Sequence, residues 1–503
     1  MSGSISFPNY PSTNRVPGVY FDISPVNANT AQQNLPALLI GQVLAGSAAV
    51  AGVPVISQGP AADAALCGEG SMLGLMARAF RRQNASTTLW LLPLADDPAA
   101  VAATGSVTYS GTATAAGTLP LYVGGKKVFV AVPSGATGAA VASLVASKAA
   151  TMPYLPVTAA TSGAAQAAAP GTTAGQVVFT AKNLGAMGND VQLQHAYLGA
   201  AGGEQMPPGI TAAIAPMGGG ATNPSLALPL AALGTLPFEV VIAPYADAAS
   251  IAALQSFMDN QSGRWSYAQQ LYGHCYTTFR GTLGQATTLG LTLNAEHVTV
   301  LPIGGTPTTM AEAAACLGAQ VAASVNADPA QPLGDMPLNV LAPPVASRFV
   351  FSDRNALLYE GMSTYKVDQG GQLYTERLVT TYQKAPSGAP DTSYLDCETM
   401  HTLGFVARDM ISFLETTFAR KKLVDDGVKI PGGSNLVNPA LVKQTAIVRY
   451  RYLESQGLVQ QSAAFAQQVR AVNAGNGQVS LYLPFILANQ LREIAGLVAF
   501  SKP

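Results

Sequence analysis

Charge is what this chain has least of. Charged side chains make up 11% of its 503 residues, while hydrophobic ones reach 49%. A soluble domain usually carries about 25% charged residues. A free monomer this thinly charged is poorly protected against association, so the composition suits a protein covered by neighbours, or a surface adhesin rich in small residues. Neither sign is in excess, since 26 Lys and Arg face 27 Asp and Glu for a net charge of −1. That excludes the basic footprint of a nucleic-acid binder and the polybasic patch of a membrane-surface protein. Protein is the expected partner.

Cysteine and histidine are also rare, with four of each. Cys67, Cys275, Cys316 and Cys397 lie far apart, with no Cys-x-x-Cys pair and no His at metal-ligand spacing. No zinc site, disulfide framework or cofactor is expected, and assembly in a reducing cytoplasm fits. A long apolar run is missing too. Pro36 to Ile56 is uncharged but broken by Gly41, Gln42, Gly46, Ser47, Gly52 and Pro54, whereas a spanning helix takes about 20 predominantly apolar residues with interfacial anchors. The opening Met1-Ser-Gly-Ser-Ile-Ser-Phe7 lacks the basic head and apolar run of a secretion signal, a feature an adhesin needs.

Catalytic patterns are equally thin. No G-x-S-x-G elbow occurs, and a serine-type hydrolase needs Ser, a His base and a carboxylate in mutual reach. His195 lies in a region of short strands, His274 in a Tyr272-x-His-x-Tyr276 alternation, His297 at the head of a strand, and His401 early in a helix. Each reads as structural. Gly68-Glu-Gly-Ser-Met-Leu-Gly74 has the wrong spacing for a dinucleotide fingerprint, and Ala61 to Cys67 does not read as the strand such a site requires. Asp96-Asp97 and Asp425-Asp426 are adjacent carboxylates on turns, whose side chains point apart.

What is present divides the chain. Residues 1–34 form an arm punctuated by Pro8, Pro11, Pro17 and Pro25, in which Val19, Phe21 and Ile23 alternate with Tyr20 and Asp22 as in a strand. A lone strand needs an edge to pair with, either in the next domain or elsewhere. Residues 35–97 and 225–345 alternate strands with helices, the pattern of a largely parallel sheet. Strands are expected at Ala37–Ile40, Thr88–Leu92, Phe238–Ala243, Leu271–Phe279 and His297–Leu301, and helices at Gly70–Asn84, Ala248–Asn260, from Thr282, and Met310–Val325. The two stretches read as one α/β domain split by residues 98–224, where Ala, Gly, Thr and Ser dominate and short strands predict a β-rich insertion with one helix, Gly138 to Ala150.

Residues 346–490 form an α+β domain. Runs of Thr, Tyr, Val and Leu from Met362 to Tyr382 flank Asp368-Gln-Gly-Gly371, which predicts a hairpin. Leu403, Val406, Met410, Phe413, Leu414, Thr417 and Phe418 share one face of a helix ending at Arg420-Lys-Lys422, where carbonyls favour positive charge. Asn438-Pro439 opens another helix, and a second hairpin turns at Asn473–Gly477. Residues 491–503 close the chain as a strand arm, with Ile494, Val498 and Phe500 on one face and Leu491 and Leu497 on the other, so that it wants cover on both sides.

Arg377-Leu-Val-Thr-Thr-Tyr382, followed by a Ser393-Tyr-Leu-Asp396 turn and a helix, resembles the C-terminal domain of contractile-tail sheath proteins, in the manner of the Mu-like phage branch and of contractile bacteriocins. Val16-Pro-Gly-Val-Tyr20 resembles their N-terminal arm, which reaches a neighbouring subunit. The resemblance implies a non-catalytic, subtilisin-like split α/β domain, an outward-facing insertion, and a structural subunit of the virion. It also implies assembly in the host cytoplasm into stacked, hexameric rings around a tail tube protein, with baseplate and tail terminator proteins as further partners. No nucleic acid or membrane insertion is expected. Arg420, Lys421 and Lys422 then have two readings, helix capping or contact with an acidic tube. Strand addition by Val19, Phe21 and Ile23 at one end and Ile494, Val498 and Phe500 at the other is expected to link subunits.

Overall fold

Ala37 to Gln42 carries no exposed side chain at all, and a strand buried on both faces belongs in the middle of a covered sheet. In the computed structural model, which describes residues 35–161 and 175–502, it lies there. Val19, Phe21 and Ile23 lie outside the described residues. The first elements are β1 (Ala37–Gln42), β2 (Val55–Ile56), α1 (Pro60–Cys67), α2 (Met72–Gln83) and β3 (Leu89–Leu94). Ser71 starts α2 by accepting the Gly74 N–H, and α1 occupies the place where a nucleotide fingerprint would need a strand.

The chain then leaves the sheet for β4 (Thr104–Gly111), β5 (Gly117–Val123), β6 (Lys126–Val132), α3 (Gly138–Ala150), β7 (Val157–Thr161), β8 (Gln176–Ala181), β9 (Leu193–His195) and β10 (Ile210–Gly218). These make two antiparallel sheets, in orders β10-β4-β8-β7 and β6-β5-β9, around a core that includes Val107, Leu121, Val145, Val177 and Phe179. Val101 and Ala221 form an antiparallel bridge, so the two chain segments entering and leaving this region meet at a neck.

After α4 (Ala227–Ala231) the chain returns as β11 (Val240–Ile242), α5 (Ala248–Met258), β12 (His274–Phe279), α6 (Leu283–Leu291), β13 (Val298–Pro302) and α7 (Met310–Ala327). The six-stranded sheet has the order β13-β12-β11-β1-β3-β2. β1 pairs in parallel with both β3 and β11, and only β2 runs antiparallel. α7 is buried nearly all round, as a helix between sheet and helix must be. A Cβ on Gly318 would come within 2.2 Å of Ile242, so glycine is what lets α7 lie this close to the sheet.

The insertion is fixed to α7 by charge. The β5–β6 turn is Gly124-Gly125, both at positive φ as a two-residue hairpin requires, and a Cβ on Gly125 would lie 3.1 Å from the Thr308 Cα. Beside it Lys126 pairs with Glu312, and Asp190 pairs with Arg280 while accepting the Met310 N–H at 2.5 Å. Burial pushes the Asp190 carboxyl up, against the pull of Arg280.

The remainder comprises β14 (Pro337–Leu341), α8 (Phe351–Tyr359), β15 (Thr364–Val367), β16 (Gln372–Arg377), α9 (Cys397–Phe418), β17 (Lys422–Leu423), β18 (Leu436–Val437), α10 (Pro439–Ser455), α11 (Ser462–Gln468), β19 (Arg470–Gly475) and β20 (Gln478–Tyr482). The Asp368–Gly371 hairpin forms, closed by the Asp368 N–H on Gln372 O at 3.0 Å. Asn438 caps α10 through the Leu441 N–H, and β19–β20 turns at Asn476-Gly477, both at positive φ.

One helix is added to the expected elements and one helix end is corrected. Phe351–Tyr359 is a helix that the sequence reading passed over. α9 stops at Phe418, before the cations, because Arg420 takes a left-handed φ of 60° and the chain turns into β17. Leu491–Phe500 forms no strand ladder with any described residue.

Candidate functional site

The segment from Arg377 to Asp396 is a seam. Arg377 donates from Nε (3.1 Å) and Nη2 (3.0 Å) to Asp396 Oδ1, at the mouth of α9. Thr380 Oγ1 donates to Tyr394 O at 2.6 Å, and the Tyr382 hydroxyl donates to Asp391 at 2.7 Å. The Thr381 N–H donates to Val298 O at 2.9 Å and covers the β13 edge, while its hydroxyl exchanges hydrogen bonds with the backbone of Ala295. Each polar residue of the motif thus joins the C-terminal hairpin either to its own turn or to the sheet.

α9 is docked by a buried polar network that sequence periodicity did not reveal. His401 Nδ1 lies 2.6 Å from Glu239 Oε1, its Nε2 lies 2.7 Å from the Tyr276 hydroxyl, and Arg408 donates to Glu239 Oε2 at 2.6 Å. Burial alone would raise the Glu239 carboxyl, but Arg408 and His401 outweigh it and hold it below the usual carboxylate range. A carboxylate in a strand of otherwise buried residues demands a cation, and that was the available signal in the sequence. The Leu403 to Phe418 face is buried at Val406 and Met410 but only half-buried at Leu403, Phe413, Leu414 and Phe418, and Thr417 is exposed. Its first turns instead bury Glu398, His401 and Thr402.

Carboxylate, imidazole and hydroxyl stand in line here, yet the hydroxyl is a phenol and all three groups are buried. Among the described residues no serine is hydrogen-bonded to any of the four histidines. His195 meets Tyr109 and Pro120 O, His274 meets Thr299, and His297 meets Asn260. Burial holds His274 well below its usual range and lowers His297 to about 3, so both rings are neutral spacers. Burial also pushes the Cys67 thiol up to about 12 and Cys316 to about 11, which leaves them unreactive. No helix among the described residues is long and apolar enough to cross a membrane.

The C-terminal end is different in kind. Among the described residues β19 and β20 pair only with each other, and Val472 and Tyr482 are exposed. Ile494 is 83% exposed, Val498 87% and Phe500 86%. Arg420, Lys421 and Lys422 are exposed on the loop that β17 and β18 close, with Lys421 Nζ donating to Ser434 O at 3.1 Å.

Residues 219–381 match the family model for the phage tail sheath protein central domain. Over 501 residues the chain is 32% identical to the Mu-like prophage FluMu tail sheath protein of Haemophilus influenzae, covering 99% of each. The chain belongs to the phage tail sheath family. Its role is that of a structural subunit of a contractile tail sheath, a component of the virion, and not of an enzyme. The sheath chain is also similar to the sheath tail protein of Desulfitobacterium hafniense, with a TM-score of 0.48 at 13% identity, covering 94% of this chain and 97% of that one. It is similar to the helical sheath of the anti-feeding prophage in its contracted state, with a TM-score of 0.46 at 12% identity, covering 97% of this chain and all of that one (100%).

Proposed function

We propose that this sheath subunit joins its copies by exchange of strands. The Leu491–Phe500 arm of one copy and the Val19, Phe21, Ile23 arm of another add to the open edges of the β19–β20 hairpin of a third. The observation that carries this reading is the pairing of opposites at one end of the molecule. Among the described residues, an apolar segment without cover lies in the same subunit as a two-stranded sheet without further strands. A two-stranded hairpin is marginal alone and gains from added strands. With about five main-chain bonds per arm at roughly 0.5–1.5 kcal/mol each, every joint contributes several kcal/mol.

Such joints would persist while the rigid bodies turn, so contraction is a switch between two packings of the same subunits, the extended one metastable. In this reading the α/β body is the non-catalytic, subtilisin-like core, residues 98–224 face outward, and stacked hexameric rings surround a tail tube between baseplate and terminator. Arg420, Lys421 and Lys422 face the tube. Deleting residues 1–24, or residues 493–503, should leave a folded monomer that makes no long striated cylinders in negative-stain micrographs. Normal cylinders from both truncations would overturn the strand-exchange reading.

A further inference from the structure

The arm that this reading depends on is held at one point, and we propose that Arg492 is the positioning residue that sets where and in which direction the arm leaves the subunit. Upstream the chain is docked. The Gln460 N–H donates to Ile486 O at 2.9 Å and the Ala488 N–H to Leu458 O at 3.1 Å. The Ile486 N–H donates to the Tyr450 hydroxyl at 3.1 Å, and Gln490 Nε2 to Ala330 O at 3.3 Å. Downstream, from Glu493 to Lys502, no group hydrogen-bonds or pairs with a described residue. Docked and free chain meet at Arg492.

Its Nη2 donates to Glu398 Oε2 at 3.1 Å, and lies 3.2 Å from Asp396 Oδ1 and 3.3 Å from Gln490 Oε1. The Glu398 side chain is 0% exposed, and its other oxygen accepts the Leu333 N–H at 2.8 Å. Asp396 Oδ1 is the same atom that Arg377 grips. One guanidinium therefore ties the root of the arm to the mouth of α9, to the hairpin strand that ends at Arg377, and through Leu333 to the segment following α7. Arginine suits the task because its charge is permanent, and its Nη2 stands within 3.3 Å of all three acceptors. Beyond this anchor the eleven residues 493–503 reach at most roughly 40 Å when extended, so the direction in which they start decides which edge they find.

The test uses the full-length chain, its Arg492→Ala variant, the Arg492→Ala/Glu398→Gln double variant, and the 493–503 deletion. Arg492→Ala should lower the monomer melting temperature, because Glu398 is left buried without its cation. It should also speed amide exchange over residues 485–490 by tenfold or more and cut the yield of long cylinders by a similar factor. Adding Glu398→Gln removes the stranded charge while Gln still accepts the Leu333 N–H. The double variant should therefore melt like the unmodified chain yet keep both the fast exchange and the assembly defect. A merely structural role would be rescued on all three counts, and that rescue would overturn the proposal. If the 493–503 deletion itself makes normal cylinders, strand exchange through this arm fails as a reading. The anchor is then judged on exchange alone, where slow exchange over 485–490 in both Arg492 variants overturns it.

Discussion

In the body, β1 has a parallel neighbour on each side, and the β13 edge is covered by the Thr381 N–H and by Ser363, whose N–H donates to Val300 O at 3.0 Å. In the C-terminal hairpin neither edge is covered by the described chain, and the apolar segment Leu491–Phe500 that follows it stands open. Among the described residues the same polypeptide thus covers an edge of one sheet and leaves both edges of another open. Backbone N–H and C=O groups at an edge are a template for pairing, and natural chains usually blunt them. Leaving a hairpin and an apolar segment bare in one subunit makes sense for a chain that is completed by copies of itself.

This contrast is broken most directly by paired truncations. Phe80→Ala in α2, at a side chain that is 0% exposed, should cost about 3–5 kcal/mol in urea unfolding of the monomer. Phe500→Ala should change the same measurement by less than about 0.5 kcal/mol, and a larger loss would mean that the arm is already packed in the single subunit. Next in size is the α9 anchorage. Glu239→Ala leaves His401 and Arg408 without their carboxylate, and should destabilise by up to about 3–5 kcal/mol, read as faster amide exchange along α9. Because Glu239 sits below the usual range when folded, its contribution is present above the unfolded pKa of about 4.3 and is lost as pH falls through the folded value.

A smaller effect sharpens the comparison through pH. His297 is lowered to about 3 when folded, so between an unfolded pKa of about 6.5 and that value the unfolded chain binds a proton the body refuses. Stability is then fully present above pH 6.5 and falls toward pH 3, by at most about 1.4 kcal/mol per pH unit for this ring. His297→Gln should flatten that slope in denaturant titrations between pH 7 and 4. The least effect on the monomer is expected from reversing Arg420, Lys421 and Lys422. These exposed cations should change stability by under about 0.5 kcal/mol but weaken docking to purified tube. Unchanged docking would leave them as supports of the β17–β18 loop alone.

Much of the body was legible because its signals are local. The apolar runs at Ala37–Ile40 and Phe238–Ala243, the helix start at Thr282 and the Asn438-Pro439 start each act within a few residues. α8 escaped because it exposes Phe351 and Tyr359 and buries only Leu357, leaving no apolar period to detect. The Glu239–His401–Arg408 and Arg492–Glu398 contacts escaped for another reason. Their partners stand far apart in the chain and face one another only once the sheet has formed. At the C-terminal end the sequence did show two-sided apolarity, but a strand takes its conformation from the edge it joins, and Leu491–Phe500 joins no edge among the described residues.

The bridge between Val101 and Ala221 closes the neck of the insertion, so the chain leaves the α/β body and returns to it at one point. Such a module is removable in principle. A tight turn spliced across the bridge would leave β1 flanked by β3 and β11, provided the body groups then deprived of partners, Arg280, Glu312, Gln42, Asp96 and the Met72 and Met310 N–H groups among them, are satisfied in another way. Foreign domains of quite different size could be mounted at the same neck, and the sheath lattice would carry them as passengers.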